Sequence, residues 1–240
     1  MSPSDALPAD DSVTLEVPSA QSLRIAVYSA SPGLLRAIFS SDPRLDPRYL
    51  APAAYRPDAD AGVIVIDGFA PPQPPQRPSL WIAPPASASP IPARMVSREM
   101  VLTHWHNETP LGAGLRSRDL KLAGSLVFDL PASATPLADT PEGSVAAALL
   151  ERGPLPPLVV LGFHPLRTAL RSEVAAPLLF ANLLEALAPA ALVERGTLAA
   201  APGALQMELP AGVDLARLQV VDENARPVPY TLDGRALRGR

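Results

Sequence analysis

One stretch constrains the fold of this chain more than any other: Leu158 to Ala188, LVVLGFHPLRTALRSEVAAPLLFANLLEALA. It opens with an apolar run, Leu158 to Phe163, that is β-branched at Val159 and Val160 and carries Gly162 near its end. A short apolar run closed by a polar turn is the pattern of a buried strand. The polar loop His164 to Glu173 follows, with Arg167 and Arg171 in it. Pro177 suits the first turn of a helix, where its missing N–H costs nothing. Leu178, Leu179, Leu183, Leu184 and Leu187 then run on with alanines among them, and Pro189 is the stop. Only Asn182 and Glu185 interrupt the apolar surface, so the helix is expected to be packed into a domain rather than laid upon it.

Upstream, Leu23 to Ser29 (LRIAVYS) reads as a first strand and Ser31-Pro32-Gly33 as a turn. Leu34 to Ser40 makes a short helix with Leu34, Leu35 and Ile38 inward, ended by Pro43 and Pro47. Tyr49 to Tyr55 is a weak strand. Gly62 to Ile66 (GVIVI) is apolar at nearly every position, as central parallel strands buried on both faces are, and it closes at Asp67-Gly68-Phe69. Pro71 to Pro78 is too rich in proline to be regular. Leu80 to Ala83 is a short strand running into Pro84-Pro85, and Leu126 to Leu130 is another. Val145 to Glu151 and Leu158 to Phe163, joined by Arg152-Gly153-Pro154, read as a hairpin, although the first arm's composition alone favours helix.

These patterns indicate an α/β fold with a doubly wound, mostly parallel sheet over residues 22–191. Residues 196–240 change character: Leu205 to Leu209 and Leu218 to Val221 are short strands between turns, which suggests a small all-β annex. Residues 1–21 are polar and Pro/Ser-rich and read as a disordered leader. The net charge of −4 is supplied by Asp5, Asp10, Asp11 and Glu16 of that leader. The remainder is balanced, so nucleic-acid binding has no electrostatic support. The absence of cysteine excludes disulfides, thiolate metal sites and a thiol nucleophile. No basic region precedes an apolar run, and no apolar stretch reaches the ~18 residues of a spanning helix. The chain is therefore expected to be soluble, without signal peptide or membrane span.

The closing pattern of strand, Gly-Phe, polar loop and Ala-Pro-Leu-Leu-Phe-Ala-Asn-Leu-Leu helix resembles the end of one particular domain. It is the class I glutamine amidotransferase-like domain of bacterial membrane proteins that join a BatA-type region to a von Willebrand factor A (VWA) domain. More distantly it is similar to ThuA-like domains. The Asp67-Gly68-Phe69 strand end, the Pro-rich loop and Pro84-Pro85 fall in the order that the family shows. Trp105 also corresponds, whereas Thr109-Pro110 stands where the family tends to carry His-Pro. The resemblance covers about residues 22–190 and implies an amidotransferase-like, flavodoxin-like sheet followed by the start of an immunoglobulin-like segment. It also implies a protein partner, either a VWA domain or a membrane component.

The sharpest chemical pattern is His104-Trp105-His106-Asn107-Glu108. On a strand, residues two apart share a face, so His104, His106 and Glu108 could converge on a metal, with His164 the only other histidine in the chain. The competing reading is a pair of polar strand-end histidines around Trp105. Three histidines without cysteine cannot close a four-ligand zinc site unless a carboxylate joins them, so no structural zinc is expected. Asp67 ends the strongest strand, where α/β sheets carry their sites, and Arg167 and Arg171 could clamp an anion near His164. A turn-forming aspartate and a surface loop are the commoner explanations. No Gly-x-Ser-x-Gly elbow replaces the missing thiol, so a base at His164 has no nucleophile to serve. The reading is a non-catalytic amidotransferase-like domain, without cofactor, that acts as a structural or interaction module. The alternatives are a metal-dependent hydrolase built on His104, His106 and Glu108, or a ThuA-like module for a small ligand such as a sugar.

Overall fold

The computed structural model describes residues 22–115 and 120–189, and beyond them 205–208, 220, 226–227, 229–233 and 236–239. The chain divides into two compact units, Ser19–Val193 and a smaller one that holds Glu194–Arg240. The larger unit begins with β1 (Leu23–Ser29), α1 (Gly33–Phe39), β2 (Leu45–Leu50), β3 (Val63–Asp67) and β4 (Ser79–Ile82). A run of short strands follows: β5 (Ala93–Val96), β6 (Met100–Leu102), β7 (His104–Trp105), β8 (Leu120–Leu122) and β9 (Ser125–Phe128). It closes with β10 (Thr135–Thr140), β11 (Gly143–Leu149), β12 (Leu158–Leu161) and α2 (Ala175–Leu187).

Eight of these strands form one sheet in the order β2-β1-β3-β4-β12-β11-β10-β7. The first five are parallel and the last three antiparallel, so the fold is α/β with a mostly parallel central sheet. β3, β4 and β12 are buried along their whole length, which is why their sequences read as continuous apolar runs. β11 and β12 pair as the expected hairpin despite the alanines of β11, because small side chains let other elements approach the sheet there. Gly162, just past β12, marks that approach. A Cβ on it would lie 2.4 Å from the Leu126 carbonyl oxygen and 3.0 Å from that of Val145.

The two faces of the sheet are covered differently. Leu23, Ile25 and Val27 of β1, Val63 and Val65 of β3, and Val159 and Leu161 of β12 pack in one core with Leu35 and Phe39 of α1 and Phe180, Leu183 and Leu184 of α2. The alternate residues, Ala26, Tyr28, Ile64, Ile66, Trp81 and Val160, pack instead against Leu126 and Phe128 of β9 and against Ile91. Both described α-helices thus serve one face, and a β pair with its loops serves the other. Phe39 and Phe180 meet edge-on at 5.4 Å and join the two helices.

The structure shifts some expected details. α1 buries Leu35 and Phe39, while Leu34 is exposed and Ile38 only half-buried, because the i, i+4 pair that faces the sheet starts one residue later than expected. The weak second strand lies at Leu45–Leu50 rather than Tyr49 to Tyr55, and Pro52–Ala54 is a 3-10 turn. Pro47 is tolerated in β2 because that strand is an edge, bonded only to β1. The strand expected at Leu126 to Leu130 is β9, paired with β5 outside the main sheet.

The smaller unit contains β13 (Leu205–Glu208), β14 (Tyr230–Asp233) and β15 (Ala236–Gly239), antiparallel in the order β13-β15-β14. Of the strand expected at Leu218 to Val221 only Val220 is among the described residues, and the expected leader lies outside them. No helix among the described residues is long and apolar enough to cross a membrane.

Candidate functional site

Two neighbouring parallel strands, β1 and β3, end in polar residues. Ser29 and Asp67 are register partners at the ends of β1 and β3. The Ser29 hydroxyl donates to Asp67 Oδ2 at 2.6 Å and accepts from the Ser31 N–H at 3.0 Å. His164, just beyond β12, places Nε2 3.5 Å from Asp67 Oδ1. Its Nδ1 is buried with no hydrogen-bond partner among the described residues. All three side chains are buried, none more than 7% exposed. Burial pushes the His164 pKa down, Asp67 pulls the other way, and Arg167 adds to the depression, so the imidazole is held below its ordinary value.

The order of these groups decides what they can do. In a nucleophilic triad the imidazole touches the hydroxyl and the carboxylate holds the imidazole. Here the carboxylate stands between them, and the serine proton already points to Asp67. The hydroxyl's acceptor side is taken by the Ser31 amide. The arrangement ties the ends of β1 and β3 together, with His164 beside them, and presents no activated nucleophile. Sequence patterning singles out Asp67 and His164 separately but passes over Ser29. The signal for Ser29 is that parallel pairing of the first and third strands sets their last residues side by side.

At the end of β4, Ala83 has φ of 45°, the only non-glycine with positive φ among the described residues. Its N–H donates to the Leu161 carbonyl at 2.8 Å, which holds this backbone against the end of β12. A left-handed residue at the end of a central strand is the backbone form of a nucleophile elbow. Its side chain here is a methyl, and Pro84 and Pro85 follow it.

The second cluster forms at the β7 edge of the sheet. β7 contains only His104 and Trp105, so His106 and Glu108 are not on a strand as expected, yet the three groups converge. Their ligand atoms all lie within 4.8 Å of one another. His106 Nδ1 is 2.8 Å from Glu108 Oε1, and His106 Nε2 is 2.7 Å from Asp139 Oδ2. The His104 and His106 rings meet edge-on, with centroids 4.6 Å apart. Desolvation opposes charging His106, but the hydrogen bonds to Asp139 and Glu108 outweigh it and raise its pKa. Asp139, which sequence spacing gives no means of finding, arrives because β10 pairs with β7 and sets it opposite His104.

Arg167 lies within electrostatic reach of His164, but Arg167 and Arg171 do not line one pocket together. Arg167 and Arg171 are both exposed, and only Arg171, with Leu34, Ile38 and Leu166, lines a small hollow of about 180 Å³ beside α1. His164 lies in the Asp67 group and not with His104 and His106. A larger groove of about 590 Å³ lies at the amino ends of β4 and β12, between Pro74, Pro75, Pro154 and Pro156 and over Trp81. The Trp81 indole N–H is satisfied by Ser79 Oγ at 3.0 Å.

No family model matches the chain, and no curated protein matches it. Among solved structures the chain is similar to "Cytoplasmic Protein STM3548" from Salmonella typhimurium, with TM-score 0.53 and 10% identity over 69% of this chain and 99% of that one. It is likewise similar to "Cytoplasmic Protein STM1381" from Salmonella typhimurium LT2, with TM-score 0.52 and 9% identity over 69% of this chain and 100% of the other. At such identity the likeness is one of fold.

Proposed function

We propose that this chain is a catalytically inert, amidotransferase-like α/β domain that works as a structural or interaction module. The observation that carries the reading is Ala83: the strained position at the end of a central parallel strand bears a methyl where chemistry would need a nucleophile. The buried group of Ser29, Asp67 and His164 agrees with it, because the carboxylate stands between hydroxyl and imidazole and takes the serine proton, an order unsuited to base catalysis. The parallel order β2-β1-β3-β4-β12 corresponds to the strand order of flavodoxin-like sheets, which supports the amidotransferase-like ancestry. In this reading a β pair has taken the place of helices on the second face. The partner class follows from the resemblance of residues 22–190 to BatA/VWA-type proteins.

The test is direct binding. The full chain is titrated calorimetrically with purified VWA domains of bacterial BatA-type proteins. A saturable one-to-one complex is expected. Heats indistinguishable from dilution with every such domain would remove the VWA assignment.

A further inference from the structure

We infer that His104, His106 and Glu108 form an open site for a divalent transition-metal ion of the zinc type, with Asp139 as the carboxylate that orients His106. The inference is independent of the interaction role above. Ligating histidines donate their second ring nitrogen to a carboxylate, which fixes tautomer and ring direction. Asp139 Oδ2 lies 2.7 Å from His106 Nε2 and can hold the proton there. That leaves Nδ1 as the lone-pair nitrogen on the side where His104 and Glu108 gather. Metal–ligand bonds of ~2.0–2.2 Å in a tetrahedron place ligand atoms ~3.4 Å apart. The observed separations start at 2.8 Å and stay within 4.8 Å, so side-chain adjustments of about an ångström complete the set.

The backbone beneath the cluster is held from several directions, as a binding site requires. The His106 N–H donates to the Leu137 carbonyl at 3.1 Å, and its carbonyl accepts from the Thr109 hydroxyl at 2.8 Å. The Asp139 carbonyl accepts from the Thr103 N–H at 2.9 Å. Gly112 lies against His106 so closely that a Cβ would sit 2.2 Å from its carbonyl oxygen. The turn Pro110–Gly112 is fastened in turn to α2, since the Asn182 amide donates to the carbonyls of Leu111 at 3.1 Å and Ala113 at 3.0 Å. The outer side is open, because His104 and Glu108 are exposed. Two imidazoles and one carboxylate favour a borderline ion over magnesium or calcium, which take oxygen ligands. The remaining positions are free for water or an anionic ligand.

The experiment is calorimetric titration of full-length, untagged, chelator-stripped protein with zinc chloride near pH 7.5, in zinc-weak buffer and with magnesium chloride as the comparison. One zinc per chain is expected, with magnesium neither binding nor competing at equal concentration. His104→Gln and Glu108→Gln change exposed side chains, so each should keep the wild-type circular dichroism while zinc binding is lost or falls at least tenfold. Asp139→Asn should weaken binding about 10–100-fold without changing stoichiometry. No binding by the wild type, equal competition by magnesium, or unchanged affinity in His104→Gln would each overturn the inference.

Discussion

At the scale of single residues, the clasp at the strand ends makes a sharp energetic demand. Ser29→Ala removes the hydrogen bond that Asp67 Oδ2 accepts from a buried hydroxyl, and bonds to charged groups are worth about 1.5–3 kcal/mol. Chemical denaturation should show a loss of that size. His164 adds a pH signature. Its folded pKa lies below the ordinary 6.5, so the unfolded chain binds a proton that the native chain refuses. Stability from this group is therefore full above about 6.5 and falls as pH drops below it. His106 works in the opposite sense, since its raised pKa gives stability that is present below 6.5 and lost as pH rises through the folded value. Denaturation midpoints measured from pH 7.5 to 5 should consequently flatten in His164→Asn relative to wild type. An equally steep acid limb in that variant would show that His164 is not the group involved. Ala83 gives a cleaner residue-scale outcome. Glycine carries no Cβ penalty at positive φ, so Ala83→Gly should raise stability by up to about 1 kcal/mol, where the same exchange in ordinary backbone costs about 0.5–1. These residues also mark where the sequence stops being informative. Asp67 and His164 were visible as strand-end polar groups, but their meeting with Ser29 depends on the pairing of β1 with β3, which local pattern does not encode.

Elements repeat the contrast. α2 is legible because its apolar residues outnumber what one face needs, and the structure buries Leu179, Phe180, Leu183, Leu184 and Leu187. Leu183→Ala should lower unfolding free energy by ~2–5 kcal/mol, since the site is fully buried between sheet and helix. A midpoint unchanged within error would mean that the helix is peripheral. Asn182 looked like a mere interruption of that helix, and its purpose appears only once the turn at Pro110–Gly112 lies beside it. β7 shows the reverse. The alternation of His104, His106 and Glu108 suggested one strand face, whereas two residues of strand and a turn produce the convergence. The difference arises because the Asn107 N–H donates back to the Trp105 carbonyl at 2.8 Å and the Thr109 N–H to that of His106 at 3.1 Å, which turns the chain after His106. β11 carries a helix-like composition yet is a strand, since its neighbours β10 and β12 supply ladders that alanine's helix preference does not outweigh.

On the scale of the whole molecule, the mostly parallel sheet was readable from the apolar runs of β3, β4 and β12. The covering of its second face by β5 and β9 was not, because short strands that alternate weakly leave little periodic signal. We propose that residues 22–191 fold without the C-terminal segment. A chain ended at Ala191 should melt cooperatively with a native spectrum, and a molten or aggregated product would place the segment in the core. We propose that the polar ends of β1 and β3, with His164, hold the fold together and do no chemistry. The most direct test measures glutamine and model-ester hydrolysis alongside denaturation midpoints in wild type, Ser29→Ala and His164→Asn. The expected result is turnover no higher than buffer in all three, with a lowered midpoint in Ser29→Ala. Wild-type turnover that disappears in either variant while the midpoints stay in place would contradict it.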